Sequence, residues 1–138
     1  MTAKLGLVGV ILCLGLVSCG DDAEPDDGAM QSELDTGATC PSGSQLTYEN
    51  FARDFFTDYC VECHSSERTG DERHGAPSDA NFDSLTGVEA VGAVAIDRAA
   101  GAGPEGVRNL MPLGQDNPKP SEAERRQLSE WLACGLRP

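Results

Sequence analysis

The feature that most constrains this chain is the run Cys60-Val61-Glu62-Cys63-His64. Two thiols three residues apart, with an imidazole directly after them, crowd three soft or nitrogen donors onto one short stretch. A redox C-x-x-C pair is one plain alternative, but it belongs in a βαβ setting, and no such pattern surrounds these residues. Half of a zinc site is another, yet zinc asks for further Cys or His at matching spacing, and the one other histidine is His74. A simple disulfide between the two is the third. The reading that employs every residue is covalent attachment of haem: Cys60 and Cys63 add across the two vinyl groups, and His64 reaches the iron from the same side.

The remaining cysteines follow from where the chain is sent. Lys4 forms a short positive start, and Leu5 to Val17 is an apolar run too short to span a bilayer. It ends in Leu16-Val17-Ser18-Cys19, which resembles the lipobox of a bacterial lipoprotein. There the leader, residues 1–18, is removed and Cys19 carries lipid; an ordinary secretory signal with a free Cys19 is the alternative. Either way the mature chain enters a compartment where disulfides persist. Of the six cysteines, Cys13 leaves with the leader, Cys19 is lipidated, and Cys60 and Cys63 are used by haem. Cys40 and Cys134 are left to pair. Closing a loop of about 95 residues would remove on the order of 4 kcal/mol of unfolded-state entropy.

A net charge of −13 argues against nucleic acid or an anionic membrane surface as a partner. Much of it lies in residues 19–39, an acidic Gly- and Pro-bearing stretch without apolar period, expected to be a disordered linker. The folded domain is expected at residues 40–138. Thr47 caps a first helix with Phe51, Phe55 and Tyr59 on one face and Tyr48 and Ala52 beside them. That helix delivers Cys60 to His64 at its carboxyl end. Residues 65–83 read as a polar surface loop in which His74 is solvated, although a second axial role for it is conceivable.

Thr86 and Glu89 form a capping box for a second helix with Val88, Val91, Ala95, Ile96 and Ala99 on its apolar face. Gly101-Ala102-Gly103-Pro104-Glu105-Gly106 matches a dinucleotide fingerprint by letter only, because no strand precedes it and Pro104 interrupts it. Ser121 and Glu124 open a last helix bearing Leu128, Trp131 and Leu132, and Gly135 can end it in the left-handed conformation. Between the two lies Met111-Pro112, where proline prevents helix and favours a held loop.

In this order the parts resemble a class I c-type cytochrome, and more narrowly the small single-haem lipoproteins of bacteria. The resemblance covers Cys40 to Gly135. It implies an all-α, cytochrome c-like helical domain around one covalent haem c, with the first and last helices crossing beside it. His64 and Met111 would be the axial ligands of the iron; Met111 is the one methionine within residues 40–138. Leu, Ile, Val and Phe make up roughly a sixth of that domain, a low share that asks for a cofactor and a disulfide to complete the core. Apolar candidates for the pocket are Phe82, Leu85, Ile96, Leu110 and Leu113.

The expected function is therefore a monomeric one-electron carrier, tethered by lipid to the bacterial cell envelope, facing the periplasm and exchanging electrons with redox proteins there, with no catalytic residues of its own. A haem peroxidase or gas sensor with an open distal site is the enzyme-class alternative, and would turn Met111 into a core residue. A cofactor-free structural lipoprotein is the third.

Overall fold

The computed structural model describes residues 34, 36–102 and 110–138. The leader, Cys19, most of the acidic linker and positions 103–109 of the Gly-rich stretch lie outside the described residues. All regular elements among the described residues are helical: α1 (Arg53–Tyr59) preceded by a π-helical turn (Tyr48–Ala52), a 3-10 turn (Gly70–Arg73), α2 (Leu85–Val91), α3 (Ala93–Ala100) and α4 (Glu122–Ala133). The all-α expectation holds for this region. No helix there is long and apolar enough to cross a membrane.

The first helix begins where expected. Thr47 Oγ1 accepts from Asn50 N–H, and the Asn50 side chain accepts in return from Thr47 N–H. This reciprocal cap satisfies two donors that helix geometry leaves orphaned. The opening turn is π-helical, and only from Arg53 does the α period set in. That wider turn brings Phe56, rather than Phe51, to the interior: Phe56 is 1% exposed, whereas Phe51 is half-buried.

The second helix departs from expectation. Its cap is Ser84, whose hydroxyl accepts from Gly87 N–H, and the Thr86–Glu89 box does not form the terminus. Gly92 then divides what reads as one helix into α2 and α3, with φ at 87°. An L-residue is strained there, so the glycine marks the corner. The last helix matches its expected limits: Ser121 and Glu124 cap each other across its start, and Gly135 takes φ 79° after its end.

Trp131, at 0% exposure, is the centre of packing. Its ring lies 6.2 Å from that of Phe56 and 6.4 Å from that of Tyr48, while Phe56 stacks on Phe82 at 5.0 Å. Thus α1 and α4 meet through aromatic side chains, with Leu128, Val88 and Ile96 filling the remaining interior. Each such side chain contributes roughly 1.5–3 kcal/mol when fully buried. Asp97 is buried on the α3–α4 seam, where it accepts from the Ser129 hydroxyl at 2.6 Å and from Thr36 N–H at 2.9 Å. Leu34 joins the core at 4% exposure. Packing therefore begins ahead of Cys40, and the acidic stretch is anchored at its far end by one apolar side chain and one backbone donor.

At the opposite seam, the sulfurs of Cys40 and Cys134 stand at disulfide distance with Cα atoms 4.7 Å apart. Arg137 reinforces this junction. Its carbonyl accepts from Tyr48 N–H at 2.7 Å and from the Trp131 indole at 3.0 Å, and its guanidinium donates to Ser44 O at 3.0 Å.

Candidate functional site

One large cleft of about 510 Å³ opens beside α1, and its size falls in the roughly 300–1,000 Å³ range of cofactor sites. Cys60, Cys63 and His64 form one edge, and Met111 and Pro112 lie along another wall. The four residues expected to hold a cofactor, separated by some fifty positions of sequence, are brought to one space. Phe56, Phe82, Val91 and Ile96 supply apolar lining between them.

The C-x-x-C-H turn is shaped by one carbonyl. Cys60 O accepts from Cys63 N–H at 3.1 Å and from His64 N–H at 2.9 Å, so both sulfurs and the ring are held on the turn that ends α1. The two thiols are not bonded to each other. Burial pushes the Cys60 thiol up to about 12, and that sulfur is a neutral thiol at physiological pH. A redox C-x-x-C motif needs the opposite, a thiolate stabilised by its surroundings. Among the described residues no three Cys, His or acidic side chains gather as a metal site, which weighs against the zinc alternative.

His64 is oriented from behind. Ala80 O lies 3.2 Å from its Nδ1, and a carbonyl can only accept, so the proton sits on Nδ1. That leaves the Nε2 lone pair free to bind a metal, the arrangement that metal-ligating histidines commonly use. Burial holds the imidazole below its ordinary range, and the nearby Arg73 charge adds to that, against the opposing effect of the Ala80 hydrogen bond. Both favour the neutral ring that a ligand must be. His64 also faces Phe82, with ring centres 5.0 Å apart.

Met111 is fixed through its backbone. Its N–H donates to Ala99 O at 3.0 Å, and its carbonyl accepts from Arg125 Nη2 at 3.0 Å. Arg125, largely buried on α4, also donates to Ala100 O at 2.7 Å, so it ties the end of α3 to the Met111 segment. The peptide bond that follows, Met111–Pro112, is cis.

Of the apolar pocket candidates, Phe82, Ile96 and Leu113 line the cleft, the last at its 56% exposed rim. Leu85 packs against the core instead, and Leu110 borders a smaller hollow with Ala95, Arg98 and Ala99. His74 is exposed, as a loop histidine should be, but it sits on the cleft margin in the left-handed conformation, φ 50°.

Three contributors escape sequence reasoning. Phe56 continues the Tyr48–Ala52 spacing of four, a signal that the more obvious Phe51–Phe55–Tyr59 run overshadows. Arg125 and Arg73 are arginines whose partners are mostly backbone carbonyls, and carbonyls leave no trace in a sequence pattern. Arg73 is 5% exposed in the loop that reads as solvated. In comparisons with known proteins, no family model, curated protein or solved structure matches this chain.

Proposed function

We propose that this chain is a c-type cytochrome, a small electron carrier that holds one haem c covalently. The observation that carries the reading is the convergence of Cys60, Cys63, His64 and Met111 on one apolar cleft. The donor chemistry fits: two thiols for the vinyl groups, a neutral imidazole with its free nitrogen available, and a thioether. When bound, haem supplies an iron centre that gains and loses one electron. The chain's own work is then positional. The Cys60 carbonyl holds the attachment turn, Ala80 fixes the ring orientation and protonation of His64, and Arg125 with Ala99 fixes Met111. Phe56, Phe82 and Ile96 exclude water, which limits solvent reorganisation around a change of charge. Lipidation at Cys19 would tether the carrier to the cell envelope, where redox proteins are its partners; the cytochrome c-like topology is part of the same proposal.

The test is production in a host with cytochrome c maturation. One covalent haem is expected by mass, lost when Cys60 and Cys63 are both changed to Ala, and an unmodified mass from matured protein would refute the reading. Low-spin spectra with the weak near-infrared sulfur-to-iron band are expected of the carrier. Met111→Ala should abolish that band and let imidazole or carbon monoxide bind readily. A high-spin wild type would favour the open-site enzyme or sensor instead.

A further inference from the structure

Among the described residues, Arg73 is the one buried cation that lines the cleft. Its guanidinium is surrounded by acceptors: it donates to Ser65 O, to Pro77 O, to Ala76 O at 3.2 Å, to Asn81 Oδ1 at 3.0 Å and to Ala80 O at 2.9 Å. Among the described residues it forms no ion pair. Dipoles satisfy its hydrogen bonds but leave its charge unneutralised in a partly desolvated wall. Ala80 O is the point of contact with the site, because the same oxygen also accepts from His64 Nδ1.

We infer that Arg73 is a positioning residue that sets the electron affinity of the site through the Ala80 carbonyl it shares with His64. The inference rests on the haem reading above. A charge-assisted donor takes the stronger share of an acceptor, and the bond from Arg73 is the shorter of the two. The carbonyl is then a weaker acceptor for the imidazole N–H, and His64 keeps less anionic character. A less basic ligand donates less to iron and favours the reduced state. The field of an unpaired cation behind the ring acts in the same direction. Both effects raise the reduction potential, and neither requires Arg73 to touch the cofactor.

The experiment is redox titration of the matured, haem-loaded protein with three variants. Arg73→Gln should shift the one-electron equilibrium about tenfold toward the oxidised form, about 59 mV lower. Asn81→Asp places a carboxylate beside the guanidinium, giving up only the Asn81 Nδ2 bond to Ser78 O, and should shift it the same way. Arg73→Lys keeps the charge and should retain most of the wild-type potential. A second readout is the His64 Nδ1–H proton resonance of the reduced protein, which should move downfield in Arg73→Gln as the bond to Ala80 strengthens. Wild-type potentials in both Arg73→Gln and Asn81→Asp would overturn the inference. So would an Arg73→Lys shift as large as that of Arg73→Gln, which is the mark of a loop scaffold alone. Failure of the haem reading shows earlier and separately, as wild-type protein without covalent haem.

Discussion

Removing the Cys40–Cys134 bridge is the perturbation whose size the structure fixes most directly. The cysteines are separated by 94 positions, and the chain-entropy relation for that loop gives about 4–5 kcal/mol at 25 °C. The figure applies cleanly only if the native junction survives without the bond. Here it should, because Arg137 clasps the same seam through Tyr48 N–H, the Trp131 indole and Ser44 O. The variant is Cys40→Ala with Cys134→Ala, which leaves no stray thiol. Urea unfolding of the protein, matured as proposed above, followed by helical circular dichroism and by the single tryptophan, Trp131, gives the free energy and its denaturant slope. The expected outcome is an unchanged native spectrum, a stability loss of about 4–5 kcal/mol and a steeper slope, since the unlinked denatured chain exposes more surface. A loss below about 1 kcal/mol would refute the entropic argument. A changed native spectrum would show that the Arg137 clasp cannot hold the seam by itself.

Phe56→Ala removes a side chain in contact with Phe82 and Trp131, and should cost about 3–5 kcal/mol in the same assay. Gly101→Ala would set a Cβ 2.7 Å from Asp97 O and tighter still against Asp97 Oδ1 and Ser129 Oγ, so it should destabilise by about 1–3 kcal/mol, with the Ser129–Asp97 hydrogen bond disturbed in hydrogen exchange. The Ser121 hydroxyl and N–H, with help from the Tyr59 hydroxyl, hold the Glu124 carboxyl below its ordinary range. A depressed carboxylate contributes stability above its unfolded value and loses it as pH falls through the folded one. NMR titration should therefore show Glu124 titrating low, and Ser121→Ala should bring it back toward the ordinary range.

The parts of this molecule that could be read from sequence are those whose cause lies within a few residues. Thr47 and Ser121 are local caps, Gly135 is a local terminator, and the C-x-x-C-H turn closes on its own Cys60 carbonyl. The Cys40–Cys134 pair was legible because elimination does not require geometry. What stayed hidden depends on distant partners. Gly92 looks like a small residue in a helix face, and becomes a corner only because α3 must turn to lay Asp97 against Ser129. Leu34 is a lone apolar residue in an acidic run, and its burial is decided by a vacancy in a core assembled from elsewhere. Arg73 and Arg125 read as surface charges, because the carbonyls that satisfy them converge only after folding. Even Met111, singled out by its neighbour Pro112, owes its position to an arginine on another helix.

The clasp at Arg137 also orders events in time. Its guanidinium reaches Ser44, 93 positions away, and its carbonyl accepts from Tyr48 N–H, so the opening of the first helix finds that acceptor only after the opposite end of the domain exists. A chain that emerges from its amino end presents Cys60, Cys63 and His64 long before Arg137. Roughly 70 residues at about 5–20 residues per second is a delay of some 4–15 s. Non-local closure of this kind is slow in any case. For most of that interval Trp131 does not yet exist, so Phe56 lacks the indole that packs against it and the wall behind the thiols is unset. Placing the final fastening so far from the C-x-x-C-H turn means that Cys60, Cys63 and His64 are made well before the contact that closes the domain around them.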